Sequence, residues 1–259
     1  MSLKQVFSPY FKIGTSVSWR NIKSEEAKEE LKKAEERKHI LDGLKNTFII
    51  TLGALAIGIV IGIVVAAVRT SFDKNRESMK LRGGIGYYVL AVLNAISKFY
   101  ITVVRGIPVV VQLMICYFVI FAASDSGVPV AIFAFGVNSG AYVAEIFRAG
   151  IMSIDNGQFE AGRSLGFNYF QTMRFIIIPQ MFKAVLPTLC NEFIALLKET
   201  SVAGYVGVID LTKAGNTIAG RTFEYFIPLI SVAVIYLVMV MILSWLVGRL
   251  ERRLRKSDR

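Results

Sequence analysis

Asn138, Tyr142 and Glu145 stand four and three residues apart in an otherwise apolar stretch, and Arg148 follows three residues later. At that spacing all four side chains stack on one face of a helix. They offer hydrogen bonds and charge among Ala, Val, Ile and Phe, and such a face must point to a protein interior or a wet path. A second set, Asn191 and Glu192 followed by Lys198, Glu199, Thr200 and Ser201, lies along another apolar stretch. Both sets suit the binding or passage of a polar solute. Glu145 and Arg148 can equally pair with each other near a membrane boundary, and both readings stay open. Gly106 and Pro108, with Gln112 four residues on, break the chain at the start of a further apolar run. Non-helical backbone at membrane depth is tolerated only where protein buries it or a cavity receives it. An ordinary helix-starting proline is the alternative.

No set among these is catalytic. The chain contains no G-x-x-x-x-G-K-[ST] loop, so any ATP, with its magnesium, must be bound and hydrolysed by a partner. The single histidine, His39, lies in a polar tail, which excludes an intramembrane serine protease with a histidine base. All six aspartates, at positions 42, 73, 125, 155, 210 and 258, fall outside the apolar runs, and no metal-ligand spacing occurs. Cys116 and Cys190 lie within apolar stretches, where a thiol behaves as a small hydrophobe. The protein is expected to be a non-enzyme without a cofactor of its own.

The elements that position these residues are membrane helices. Of the 259 residues 54% are hydrophobic and 19% charged, and mean hydropathy is +0.54. Asn46 to Val68 is 23 residues without a charge and Tyr225 to Gly248 is 24. Each run crosses the roughly 30 Å hydrocarbon core as a helix. Five spans are expected, at about 46–68, 107–123, 128–150, 184–203 and 226–248. Residues 83–104, interrupted by Lys98, read as an interfacial or re-entrant helix; if they cross, the count is six. The net charge of +11 sits at the ends of apolar runs and orients the spans, and does not form a nucleic-acid surface. The positive-inside rule places 69–106, 151–183 and the basic tail 251–259 in the cytoplasm, and five spans then leave residues 1–45 outside. That tail, with ten Lys/Arg and seven Asp/Glu, reads as a separate solvated tract holding a charged helix from Ser24, its cap, to Lys38, and is punctuated by Gly43 and Asn46. Gly58 and Gly62 mark close helix packing.

Residues 151–183 carry the most information. Glu160-Ala161-Gly162 is followed by Gly166 and, after nine residues, by Ile176-Ile177-Ile178-Pro179. A helix from about Asn156 is expected to end in a left-handed cap at Gly166, a second short helix to start at a new angle, and Pro179 to separate this elbow from the next span. A structured cytoplasmic loop of this size implies something that docks.

This spacing resembles the EAA motif of ATP-binding-cassette importer permeases, EAA, three residues, G, nine residues, I-x-L-P. Glu160, Ala161, Gly166, Ile176 and Pro179 match it, while Gly162 replaces an alanine and Ile178 a leucine. Arg105-Gly106-Ile107-Pro108 with Gln112 is similar to the RGTP…Q segment of the polar amino acid subfamily. Residues 138–148 resemble its N-S-x-A-Y-x-x-E-x-x-R stretch, and Lys198-Glu199-Thr200-Ser201 its K-D-T-S segment. The resemblance covers 46–249. It implies an all-α membrane protein with the type I importer permease fold, located in the plasma (inner) membrane as a multi-pass protein. It further implies a docking loop at Glu160–Pro179 and a pathway formed by Gly106, Pro108, Gln112, Asn138, Tyr142, Glu145, Asn191 and Lys198–Ser201. The implied partners are a second permease subunit, two cytoplasmic ATPases and an external binding protein that delivers a polar amino acid. An ATP-independent secondary transporter or channel is the alternative, and it leaves the loop unexplained.

Overall fold

A computed structural model describes residues 25–82 and 84–256, and every described element is helical. Ser24, the expected cap, lies outside the described residues. The first helix, α1, runs from Glu25 to Arg82, 58 residues or roughly 87 Å, far longer than a bilayer is thick. The charged tract is therefore not separate from the first span from residue 25 onward. Gly43, expected as punctuation, is helical, and its missing side chain serves close packing: an added Cβ would lie 2.7 Å from the Asp210 carbonyl oxygen. Asn46 does not end the helix either; its amide donates to the Ile209 carbonyl at 2.9 Å.

α2 spans Ile85–Gly106, α3 spans Val109–Ile115 and runs on as a π-helical turn to Ile120, and α4 spans Gly127–Met152. Among the described residues, five helices are long and apolar enough to cross a membrane: 32–74, 85–106, 127–152, 169–206 and 226–254. The count of five agrees with expectation, but its second member does not. Residues 107–123 do not form a span; the chain bends at Ile107, which is extended before Pro108, and only the 12 residues Val109–Ile120 are helical beyond it. Residues 85–106, read as interfacial, are the long helix. Contacts show why the total holds: α3 continues from α2 along α4, with Tyr100 meeting Val137 and Leu113 packing on Ala131, Ala134 and Phe135. The two pieces make one bent leg.

The coupling region comprises α5, Asn156–Ser164, and α6, Tyr169–Thr172. A π-helical turn, Met173–Ile177, leads from α6 directly into α7, Ile178–Glu199, and a 3₁₀ turn extends it to Val206. Pro179 does not separate the elbow from the membrane helix, contrary to the expectation. It occupies the first turn of α7, and the wider π turn lets the Ile178 N–H reach Met173, so helix passes through without a break. α8, Leu211–Thr222, was not foreseen at all, and α9 spans Phe226–Lys256.

α4 forms the centre of the bundle. Its glycines interleave with those of α1: added Cβ atoms on Gly58 and Gly62 would lie 3.1 and 2.5 Å from Ser139 and Val143, and on Gly136 and Gly140 2.7 and 2.9 Å from Ile57 and Ile61. One apolar cluster joins Ile50, Leu113, Phe135 and Leu196 in one half of the bundle, and another joins Val143, Phe147, Ile177 and Met181 in the other half. α9, at the periphery, exposes Leu237, Met241, Ile242 and Trp245, as a lipid-facing helix does. The two ends of the bundle are distinct. Ile154, just before α5, and Gln180, in the first turn of α7 and hydrogen-bonded to Gln158 of α5, share a cavity with Glu251 and Leu254, so the elbow and the C-terminal end of α9 lie on one side. Lys33, Arg37 and Ile40 share another with Ile218, Thr222 and Pro228, so the N-terminal arm of α1 lies with α8 on the opposite side.

Candidate functional site

The bend between α2 and α3 frees backbone carbonyls, and a side chain satisfies them. Gln112 Nε2 donates to the carbonyls of Val104 at 2.6 Å and Ile107 at 2.7 Å, and its Oε1 accepts from Asn138 Nδ2 at 3.3 Å. Gly106, Pro108, Gln112 and Asn138 thus form one cluster, in which Gln112 ties the break to α4. Asn138 is buried. A buried amide is kept there because its partners replace water.

Beside this cluster a cavity of about 440 Å³ opens among α2, α4 and α7, with Arg105, Tyr142, Glu145, Thr188 and Glu192 in its wall. The Arg105 guanidinium lies 5.0 Å from the Tyr142 ring centroid, a cation–π arrangement. Glu145 accepts from Arg69 at 3.2 Å and approaches Arg148 at 3.5 Å, so Glu145 pairs with Arg148 while also standing in the cavity wall. Glu192 accepts from the Ser139 hydroxyl at 2.8 Å. The wall therefore presents a guanidinium and a carboxylate, the pair of groups that recognises a zwitterion.

Other expected pathway residues stand elsewhere. Asn191 is exposed on α7, one residue from Glu192 but turned away from the cavity wall. Lys198, Glu199, Thr200 and Ser201 lie at the end of α7 remote from the elbow. Counted from Ile178, Lys198 is roughly 30 Å along the helix, because α7 starts six residues before the expected 184. Thr200 is fully buried and donates to the Leu197 carbonyl at 2.8 Å, a helix-end contact.

The elbow is built as follows. Asp155 caps α5 by accepting from the Gly157 N–H at 2.6 Å. Glu160 and Ala161 are exposed on α5 while Gly162 is buried against Thr172, where an added Cβ would come 2.7 Å from the threonine side chain. The glycine that departs from the alanine of the motif is what lets α5 and α6 touch. Gly166 turns the chain with φ +78°, in the left-handed region. Asn168 and Gln171 close a reciprocal capping box on α6, both bonds 2.9 Å. Ile176 is half-buried against the inner apolar cluster. Flanking the turn, Leu165 is 69% and Phe170 71% exposed, and Phe175 is 61% exposed. Large apolar side chains displayed on an end loop mark a contact surface.

The pathway expected from the resemblance named Asn191 and left out its neighbour Glu192, the one of the two that lines the cavity. Sequence reasoning also missed Arg69, the partner of Glu145 from 76 positions away, and it passed over Leu165 and Phe170, whose signal was apolar bulk on both sides of a turn glycine. Asp210 was set aside because it lies outside every span. It is fully buried, caps α8 by accepting from Thr212 and Lys213, and abuts Thr47 of α1, whose hydroxyl accepts from the Leu211 N–H.

A bundle of five membrane helices that carries a polar cavity in its wall and a helical elbow at one end fits a transport component. Residues 58–256 match the family described as the binding-protein-dependent transport system inner membrane component, and the chain belongs to that family. It is 35% identical over 220 residues to the glutamine transport system permease protein GlnP of Escherichia coli, a match covering 83% of this chain and 93% of that one. It is also 35% identical over 222 residues to the arginine transport system permease protein ArtQ of Bacillus subtilis, covering 85% and 94%. An amino acid ABC transporter solved with histidines superposes with a TM-score of 0.73 at 36% identity, covering 86% of this chain and 97% of that one. The MetNI methionine ABC transporter in an inward-facing form superposes with a TM-score of 0.69 at 21% identity over 83% and 95%, which shows the same fold. The protein is thus a multi-pass inner-membrane permease subunit with the type I importer fold.

Proposed function

We infer that this chain forms the membrane path of an ATP-driven importer for a polar amino acid, paired with a second permease subunit. An external binding protein delivers the solute on the side of the α1 arm and α8, and two cytoplasmic ATPases dock on the elbow, binding the ATP and magnesium. The observation that carries this reading is the elbow itself: a glycine turn, two capped short helices and exposed Leu165 and Phe170, none of which a membrane span needs. The cavity supports the substrate class. Arg105 suits an α-carboxylate and Glu192 an ammonium group, and about 440 Å³ holds an amino acid with its water. ATP-driven closure of the ATPases would drag α5 and α6, and the bundle would rock to expose the cavity to alternate sides. Energy enters at Glu160 and solute passes beside Glu145.

The test is reconstitution with the partner ATPase and binding protein in proteoliposomes. Glu160→Lys reverses charge on the docking face and should lower both ATPase co-purification and solute-stimulated ATP hydrolysis at equal membrane abundance. Uptake that proceeds without ATP in the wild type would overturn the reading.

A further inference from the structure

α5 has nine residues and α6 four, lengths at which a helix does not hold itself. Beyond their attachments to α4 and α7, α5 is held laterally by Gln180 of α7, whose amide donates to Gln158 at 3.1 Å, and by Phe159 on the inner apolar cluster. Further lateral support comes from the inner end of α1. Lys74 Nζ donates to Asn156 Oδ1 at 2.6 Å, at the first residue of α5, and lies 4.4 Å from the centroid of the Phe159 ring. One turn earlier Ser71 hydrogen-bonds the Tyr169 phenol at the first residue of α6. Both short helices are therefore gripped from α1, at Asn156 and Phe159 on one and at Tyr169 on the other. The same stretch of α1 also reaches the cavity. Asp73 accepts from Arg148 Nε at 3.0 Å, Arg148 meets Glu145, and Arg69 meets Glu145 from the other side. Polar contacts thus run from the cavity wall through Arg148 to Asp73, and the next residue of α1, Lys74, holds the elbow.

We propose that Ser71, Asp73 and Lys74 of α1 position the coupling elbow and tie it to the cavity wall, so that Lys74 is a positioning residue for the conversion of ATP hydrolysis into transport. The inference rests on the functional reading above. The contacts supply the physical link between the two sites, and a coupling measurement decides whether energy follows it. Lys74 touches neither solute nor nucleotide. Its loss should therefore appear in the ratio of solute-stimulated to unstimulated ATP hydrolysis, and not in the presence of the ATPase on the permease.

The experiment uses the complete transporter in proteoliposomes. Lys74→Met removes the donor and the charge over Phe159, Lys74→Arg keeps both, and Asn156→Ala removes the acceptor while leaving the lysine. The stimulation ratio should fall roughly two- to thirtyfold in Lys74→Met, the range of linking residues that contact neither ligand. It should fall in Asn156→Ala as well, recover in Lys74→Arg, and be accompanied by wild-type co-purification of the ATPase. Should Lys74→Met fail to reach the membrane, Asn156→Ala against wild type decides. Unchanged ratios in Lys74→Met and Asn156→Ala would overturn the inference, as would Lys74→Arg as defective as Lys74→Met. A wild type that solute does not stimulate would bring down the transport reading too, whereas a stimulated wild type with equally stimulated variants brings down this inference alone.

Discussion

Gly166→Val is the sharpest probe of the elbow. The residue has φ +78° and an added Cβ would find nothing within 4 Å, so the substitution creates strain without a clash. A β-branched residue held left-handed costs about 1–2 kcal/mol. The turn can relax when undocked, and docking on the ATPase then has to restore it. The strain should appear as roughly five- to thirtyfold weaker association with the ATPase, the factor that corresponds to such an energy. Gly166→Asn is the control, because asparagine accepts the left-handed region at little cost. Gly162→Val is a contrast, since it drives into Thr172 and should damage folding. The assay is ATPase titration against detergent-solubilised permease at matched amounts, with solute-stimulated hydrolysis in parallel. Wild-type affinity in the Val variant would refute the reasoning, and so would an Asn variant as weak as Val, because backbone strain would then not be the cause.

Phe170→Ala, which removes an apolar ring 71% exposed beside the turn, should weaken ATPase association by about 2 kcal/mol with no fall in membrane abundance, as read by the same titration. Gly62→Leu should do the reverse: an added Cβ already sits 2.5 Å from Val143 and 3.0 Å from the Ala144 backbone nitrogen, so α1 and α4 must separate at a cost of roughly 1–3 kcal/mol or more, visible as lower Tm and yield. Asp210 has its carboxyl pushed up by burial, against N–H donation from Thr212 and Lys213. A raised folded value means that the stabilisation by the proton is fully present below the unfolded value and is lost as pH rises through the folded one. The Tm of wild type relative to Asp210→Asn, which keeps the cap but cannot titrate, should therefore rise as pH is lowered from neutral toward the ordinary aspartate value of about 4; a difference independent of pH would contradict it.

Hydropathy and charge made the membrane helices legible because those signals are local. Asn46–Val68 and Tyr225–Gly248 needed no partner to be read; the first lies wholly inside a helix and the second does so from Phe226 onward. The Gly166 turn was legible too, since glycine chemistry is decided within a few residues. What escaped depended on distant neighbours. Gly43 looked like a boundary because the backbone it packs on, at Asp210, is 167 positions away. α8 stayed hidden because its cap is buried only once α1 lies over it. Pro179 looked like a break because the π turn that absorbs it leaves no compositional trace. At the cavity, Tyr142 and Glu145 were found by period, whereas Arg105 and Glu192 join them only through the crossing of α2, α4 and α7.

The length of α1 gives this permease a lever. One unbroken helix carries the arm beside α8, the tight crossing at Gly58 and Gly62, and the grip on the elbow at Lys74. The crossing, where backbones nearly touch, is the natural fulcrum. A tilt of α1 imposed at the inner end must swing the outer arm the opposite way, and pressure on the arm must be felt at the elbow. The two faces of the membrane are in this way joined by a single continuous helix.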